Sequence, residues 1–128
     1  MIKLTLPIEP VAWGRVKRGR FGQAYVPEKT ARFESEAARL IRRSIGPSPP
    51  LEGPLFLVAR FILSPPHRPK WKEPAVRPDL DNYLKAIKDA ANGLLWFDDA
   101  QVVRVEARKL YAMDGTSACI ELEVGRYE

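Results

Sequence analysis

The chain is poor in the residues that carry several common chemistries. It has one cysteine, Cys119, which excludes an intramolecular disulfide and fits a cytoplasmic protein in a reducing compartment. Its one histidine, His67, has no second histidine or cysteine at ligand spacing, which argues against a zinc site. No apolar run approaches the ~20 residues a membrane helix requires. The first residues, Met1-Ile-Lys-Leu-Thr-Leu, alternate and then meet Pro7, unlike a signal peptide. Neither a glycine-rich phosphate cradle nor a helical glutamate cluster appears, which disfavours a small-nucleotide phosphohydrolase. There is no internal repeat and no low-complexity segment. A length of 128 residues predicts one domain spanning 1–128.

Aspartate is also scarce outside one stretch. Five of the six aspartates lie between residues 77 and 103, as Asp79-x-Asp81, Asp89 and Asp98-Asp99. Grouped carboxylates repel one another unless something positive sits between them. In a chain of net charge +5 that grouping points to a divalent cation, Mg2+ or Mn2+. Residues 1–72 carry 14 Lys/Arg against 5 Glu, and residues 73–128 carry 7 Lys/Arg against 11 Asp/Glu. A basic half joined to an acidic cluster suits a protein that grips a polyanion and cuts it through metal ions. A basic, merely solvated surface is the plainer account of the same charges.

The order of elements follows from periodicity. Ile2, Leu4, Leu6 and Ile8 alternate with polar residues and predict a strand. Residues 9–27 hold Arg15, Lys17, Arg18 and Arg20 among Trp13, Phe21 and Tyr25. They predict a basic arm or hairpin whose cations suit phosphates and whose aromatics suit unpaired bases. The competing role is a solvated hairpin with Trp13 and Tyr25 reaching the core. A helix is expected from Glu28 to Ile45, burying Phe33, Ala37, Leu40, Ile41 and Ile45 and stopped by Gly46. Arg39, Arg42 and Arg43 near its end suit the helix dipole as well as they suit DNA. The turn-rich residues 46–54 lead to a nearly continuous apolar strand, Leu55–Leu63. A proline-rich loop, 64–76, then brings Arg68, Lys70 and Lys72 toward the aspartates, a placement suited to substrate contacts.

Pro78 keeps Arg77 extended, and Asp79 or Asp81 is placed to cap the next helix. Leu80, Leu84, Ile87 and Ala91 define an apolar stripe, with Asp81, Lys85 and Asp89 on another face. Asn92-Gly93 ends that helix, Leu94-Leu95-Trp96-Phe97 returns to the core, and Asp98-Asp99 opens a strand. Val103, Val105 and Ala107 predict a strand with one wet face. Asp114-Gly115 predicts a hairpin to a partner strand bearing Ala118, Ile120, Leu122 and Val124. The whole implies an α+β domain: a mixed sheet of about four to six strands with two main helices packed on it.

The block Asp79-x-Asp81-Asn82-x-x-Lys85-x-x-x-Asp89-Ala-x-Asn92-Gly93, then Trp96-x-Asp98-Asp99-x-Gln101-Val102, resembles the RusA-type Holliday junction resolvases. It covers about a fifth of the chain, and the basic arm and Tyr25-x-Pro27 add to it less distinctively. The resemblance implies a homodimeric, Mg2+-dependent endonuclease that cuts four-way DNA junctions by paired nicks. It implies Asp79, Asp81 and Asp99 as essential metal-binding carboxylates, Lys85 as an essential basic residue and Asp98 as an auxiliary acid. No small-molecule cofactor and no membrane are expected. The residue chemistry agrees: hard oxygen ligands suit Mg2+, and one or two such ions supply what phosphodiester hydrolysis needs. Lys85 alternatively forms only an i,i+4 pair with Asp81 or Asp89, and Asp89 is assigned to such a salt bridge. Two other readings remain: a metal nuclease preferring other branched or single-stranded DNA, and a non-catalytic DNA-binding module.

Overall fold

The computed structural model describes residues 1–15 and 17–128. Its centre is the apolar run predicted as a buried strand. Leu55, Leu57, Ala59 and Phe61 of β4 (Leu55–Leu63) all point to one face and are buried. On one side of it lies β6 (Cys119–Arg126), antiparallel, with Leu57 opposite Val124 and Phe61 opposite Ile120. β1 (Ile2–Leu6) pairs antiparallel with the far side of β6. On the other side of β4 lies β5 (Val102–Tyr111), parallel, with Leu57 opposite Val105. The mixed sheet therefore runs β1-β6-β4-β5.

Two helices cover its apolar face. α1 (Glu28–Ile45) buries Phe33, Ala37, Leu40 and Ile41, as expected. It ends at Gly46, whose φ of 61° suits a residue without a Cβ. α2 (Leu80–Ala91) packs beside it, and the Tyr83 ring stacks on Phe61 with centroids 5.6 Å apart. The other face of the sheet stays polar: Arg60 donates to Glu121 at 2.8 Å and Glu123 at 2.9 Å. A separate two-stranded ribbon, β2 (Lys17–Arg18) with β3 (Ala24–Tyr25), stands off this body. The result is the expected two-layer α+β domain. No helix among the described residues is long and apolar enough to cross a membrane.

Four local expectations need correction. The Asp114-Gly115 turn forms, with Gly115 at φ 81°, yet it does not join paired strands. β4 lies between β5 and β6. The most apolar strand takes the centre because there both its edges are hydrogen-bonded, and the seven residues 112–118 are long enough to cross its end. β5 is accordingly an edge strand, and Val103 and Val105 are 58% and 39% exposed rather than on a dry face. The buried stripe of α2 runs through Tyr83, Ala86, Ile87, Ala90 and Ala91, leaving Leu80 and Leu84 half-buried. The large Tyr83 ring wins the central place because it fits against Phe61. In the Leu94–Phe97 run, Leu95 and Trp96 are buried but Phe97 is exposed, and a short 3₁₀ turn, Asp99–Gln101, precedes β5.

Candidate nucleic-acid cleavage site

The acidic residues are carried by two backbone features brought together by the helix–sheet packing. The first is the start of α2. Lys109 of β5 reaches across and donates to the carbonyls of Val76 at 2.8 Å and Pro78 at 3.0 Å, holding the chain as it enters the helix. Asp79 occupies the cap position with extended backbone, but its side chain makes no capping hydrogen bond; the carboxylate is exposed and uncommitted. The expected capping role is thus confined to its backbone carbonyl, which accepts from Asn82 at 3.1 Å. Asp81 sits in the first turn, where a negative charge suits the helix dipole.

The second feature is the turn after Trp96. Gln101 organises it. Its Oε1 accepts from the N–H groups of Phe97 at 2.8 Å and Asp98 at 3.0 Å. Its Nε2 donates to the carbonyls of Leu51 at 2.9 Å and Gly53 at 3.1 Å. Asp98 caps the 3₁₀ turn by accepting from the Ala100 N–H at 2.9 Å, so one of its oxygens is engaged. Asp99 follows, half-buried.

Between these features lies a concavity of about 200 Å³ lined by Asp81, Leu84, Lys85, Lys88 and Asp99. Asp81 and Asp99 thus share one hollow, while Asp79 and Asp98 lie outside its lining. Among the described residues, no three His, Cys, Asp or Glu side chains gather tightly enough to hold one ion. Carboxylates without a cation nearby repel, and here Lys85 and Lys88 line the same hollow. The donor set nonetheless fits Mg2+, which takes hard oxygen ligands, keeps several waters and is commonly held by one or two carboxylates. Larger hollows, of about 380 and 520 Å³, lie around Phe56 and Arg126, and no aspartate lines either. Gripping a phosphate backbone needs charge and access more than volume, so the smaller hollow, which holds the carboxylates and lysines, is the candidate.

Lys85 is held from two sides. Its ammonium lies 3.3 Å from Asp89, the i,i+4 pair expected for Asp89, and 5.1 Å from the centroid of the Trp13 ring. Trp13 itself donates its backbone N–H to the Asn82 carbonyl at 2.9 Å. The neighbouring Gly14 N–H donates to the buried Thr30 hydroxyl at 3.0 Å. A Cβ at Gly14 would meet that oxygen at 3.0 Å and Pro27 at 3.2 Å, so glycine suits this close approach. The root of the basic arm is therefore docked on both helices beside Lys85. α1 adds Glu34, whose carboxyl is pushed above the usual range first by burial and then by the Asp89 charge, with Lys85 acting oppositely.

Outward from this root, Arg15, Lys17, Arg18 and Arg20 are all exposed. Arg18 donates to the Gly22 carbonyl at 2.9 Å, and Arg20 lies 5.9 Å from the centroid of the Phe21 ring, which is 87% exposed. In the proline-rich loop Arg68, Lys70 and Lys72 are likewise exposed, as is His67, and Lys70 lies over the Trp71 ring at 5.4 Å. Sequence reasoning had no means of assigning Lys109, Gln101 or the Trp13–Lys85 contact. Trp13 reads in the sequence as an aromatic near cations, but its partner is 72 residues away.

The family described as "Endodeoxyribonuclease RusA" matches residues 7–123. A protein of Bacillus subtilis (strain 168), described as "Uncharacterized protein YqaN", is 33% identical over 126 residues, covering 87% of this chain and 88% of its own.

Proposed function

Because the chain belongs to the RusA endodeoxyribonuclease family, we propose that it resolves four-way (Holliday) DNA junctions by paired nicks, as a Mg2+- or Mn2+-dependent homodimer serving recombination and repair. The observation that carries this reading is the shared hollow. Carboxylates from the helix start (Asp81) and from the turn before β5 (Asp99) face one space that also holds Lys85, at the root of a cationic arm.

In this reading Asp81 and Asp99 hold the cation, with Asp79 as a third ligand and the free oxygen of Asp98 as an auxiliary acceptor. When bound, the ion neutralises phosphate charge and lowers the pKa of a coordinated water. Lys85, steadied by Asp89 and Trp13, presents its ammonium to a non-bridging phosphate oxygen. The exposed cations of the arm and of the proline-rich loop take flanking phosphates, which fixes register without reading sequence. Phe21 and Trp71, exposed beside Arg20 and Lys70, suit bases left unpaired near a branch point. The same aromatics favour, as a second reading, a metal nuclease acting on other branched or single-stranded DNA.

Incubation with labelled four-way junction, flap, single-stranded and duplex DNA, with and without Mg2+, separates these readings. Paired nicks in the junction, stopped by chelation, are expected. Faster cutting of flaps or single strands would favour the second reading. Tight binding without cleavage, with Mg2+ as without it, would leave a DNA-binding module.

Replacing Arg15, Lys17, Arg18 and Arg20 together by Ala should weaken junction binding and flatten its salt dependence. Each phosphate contact contributes about 0.9 to the log–log slope, so a drop of roughly three to four is expected if all four cations engage. Binding titrations across a salt series check this, and an unchanged slope would move the DNA surface elsewhere.

A further inference from the structure

β1 and β4 both run antiparallel to β6, and β5 runs parallel to β4. The chain segments that follow β1, β4 and β5 therefore leave the sheet at the same end. Two of them carry the cations of the proposed function: the basic arm, 9–27, and the proline-rich loop, 64–76. One carboxylate ties their roots together. Glu9, just beyond β1, accepts from the Ser64 N–H at 3.1 Å and from the Ser64 hydroxyl. Ser64 is the first residue after β4. The Leu63 carbonyl beside it accepts from the Ala112 N–H at 2.8 Å, so the segment after β5 is pinned at the same place. Burial first, and then the Glu9 charge and Tyr111, push the Tyr83 phenol above its ordinary range, so the Glu9 charge reaches α2 as well.

Little else fixes the two segments. Residues 20–26 and 64–73 are exposed throughout. Among the described residues, the Glu9–Ser64 pair is their one hydrogen-bonded link to each other, and Glu9 has no ion-pair partner. A bare carboxylate at the root of a phosphate-gripping arm opposes binding by repulsion. Its contribution must lie in what it holds.

We propose that Glu9 is a positioning residue: by clasping Ser64 it fixes the arm relative to the loop, and so selects branched DNA, whose duplexes diverge from one point, over linear duplex. This rests on the DNA reading above and adds its determinant of substrate shape. Two sets of cations held at a fixed spacing engage one DNA with the second contact made intramolecularly, and a spacing matched to one target favours that target. Loosening the clasp adds an ordering cost to binding without removing a phosphate contact.

Binding titrations of Glu9→Ala, Ser64→Ala and the double variant on a labelled four-way junction and a linear duplex test this. Each single variant should weaken junction binding by roughly five- to tenfold and duplex binding by less than about twofold. The double variant should be no worse than either, because the pair acts as one unit. Ser64→Thr, which keeps both donors, should retain the parental selectivity. The slope of log affinity against log salt should stay parental, since no phosphate contact is lost. Were Glu9 only a surface charge, Glu9→Ala would tighten binding to both DNAs and Ser64→Ala would change nothing; either result overturns the clasp. Amide hydrogen exchange at Ser64 in the free chain reads the bond directly and should quicken in Glu9→Ala. Unchanged exchange there would equally overturn it. Both side chains are exposed, and thermal midpoints near the parental value check folding. A parent with no preference for the junction over duplex would sink the junction reading and this selectivity with it. A parental preference that the variants retain would sink the clasp alone.

Discussion

Asp81→Asn and Asp99→Asn are each expected to lower Mg2+-supported nicking of a four-way junction by roughly a thousandfold or more, about 4 kcal/mol of barrier at ~1.4 kcal/mol per tenfold. Asparagine keeps the shape of aspartate and removes the charge proposed here to bind the cation. Neither side chain makes a hydrogen bond or ion pair among the described residues, and both face an open hollow. The fold should therefore be indifferent to the change, and the thermal midpoint should stay near that of the parent. Junction binding should persist or tighten, because a negative charge facing phosphate is removed. Single-turnover cleavage and a gel-shift titration on the same preparations separate the two effects. Asp79→Asn should behave alike if that exposed carboxylate joins the cation when it binds. Parental nicking rates in the Asp99 variant would remove the turn before β5 from the site.

Trp96→Ala is expected to cost about 3–5 kcal/mol of folding stability, the range for emptying a large aromatic site. Trp96 is 1% exposed, its indole N–H donates to the Asn92 side-chain oxygen at 2.7 Å, and its carbonyl accepts from the Gly93 N–H at 2.7 Å. It packs the exit of α2 against the core, immediately before Asp98 and Asp99. Against a typical total of about 5–15 kcal/mol, that loss is large enough to shift the denaturant midpoint severely. Trp96→Phe should lose much less, because the core stays filled and the exposed Asn92 can turn to water. Urea unfolding followed by far-ultraviolet circular dichroism measures both. A loss below about 1 kcal/mol for Trp96→Ala would mean that the segment opens without disturbing the core.

Much of the architecture was legible because its determinants are local. The span of α1 follows from its apolar period and from Gly46, where the chain needs a positive φ. The end of α2 follows from Gly93 for the same reason. β1 and β6 alternate as their burial requires, and β4 is the nearly continuous apolar run expected of a central strand. The apolar stripe of α2 was misjudged because leucines and a tyrosine compete for the same face, and only the position of Phe61 decides between them. The dry face expected for β5 fails for a different reason, while its wet face of Arg104, Glu106 and Arg108 is exposed as expected. Val105 stands opposite Leu57 on the covered side of the sheet, but the helices do not extend over its edge, and Val103 sits where the register with β4 shifts.

What the amino-acid order determined by itself was the sequence of elements, the basic arm, and an oxygen-rich acidic cluster chemically suited to a hard divalent cation, since propensity, periodicity and ligand type are properties of short stretches. What only the tertiary structure decided was the company those stretches keep. β4 separates β5 from β6, Asp81 shares its hollow with Asp99 but not with Asp79, and Trp13 covers Lys85. Each of those is a contact between residues distant along the chain, settled by competition for burial and for backbone partners, and no local spacing encodes the outcome of that competition.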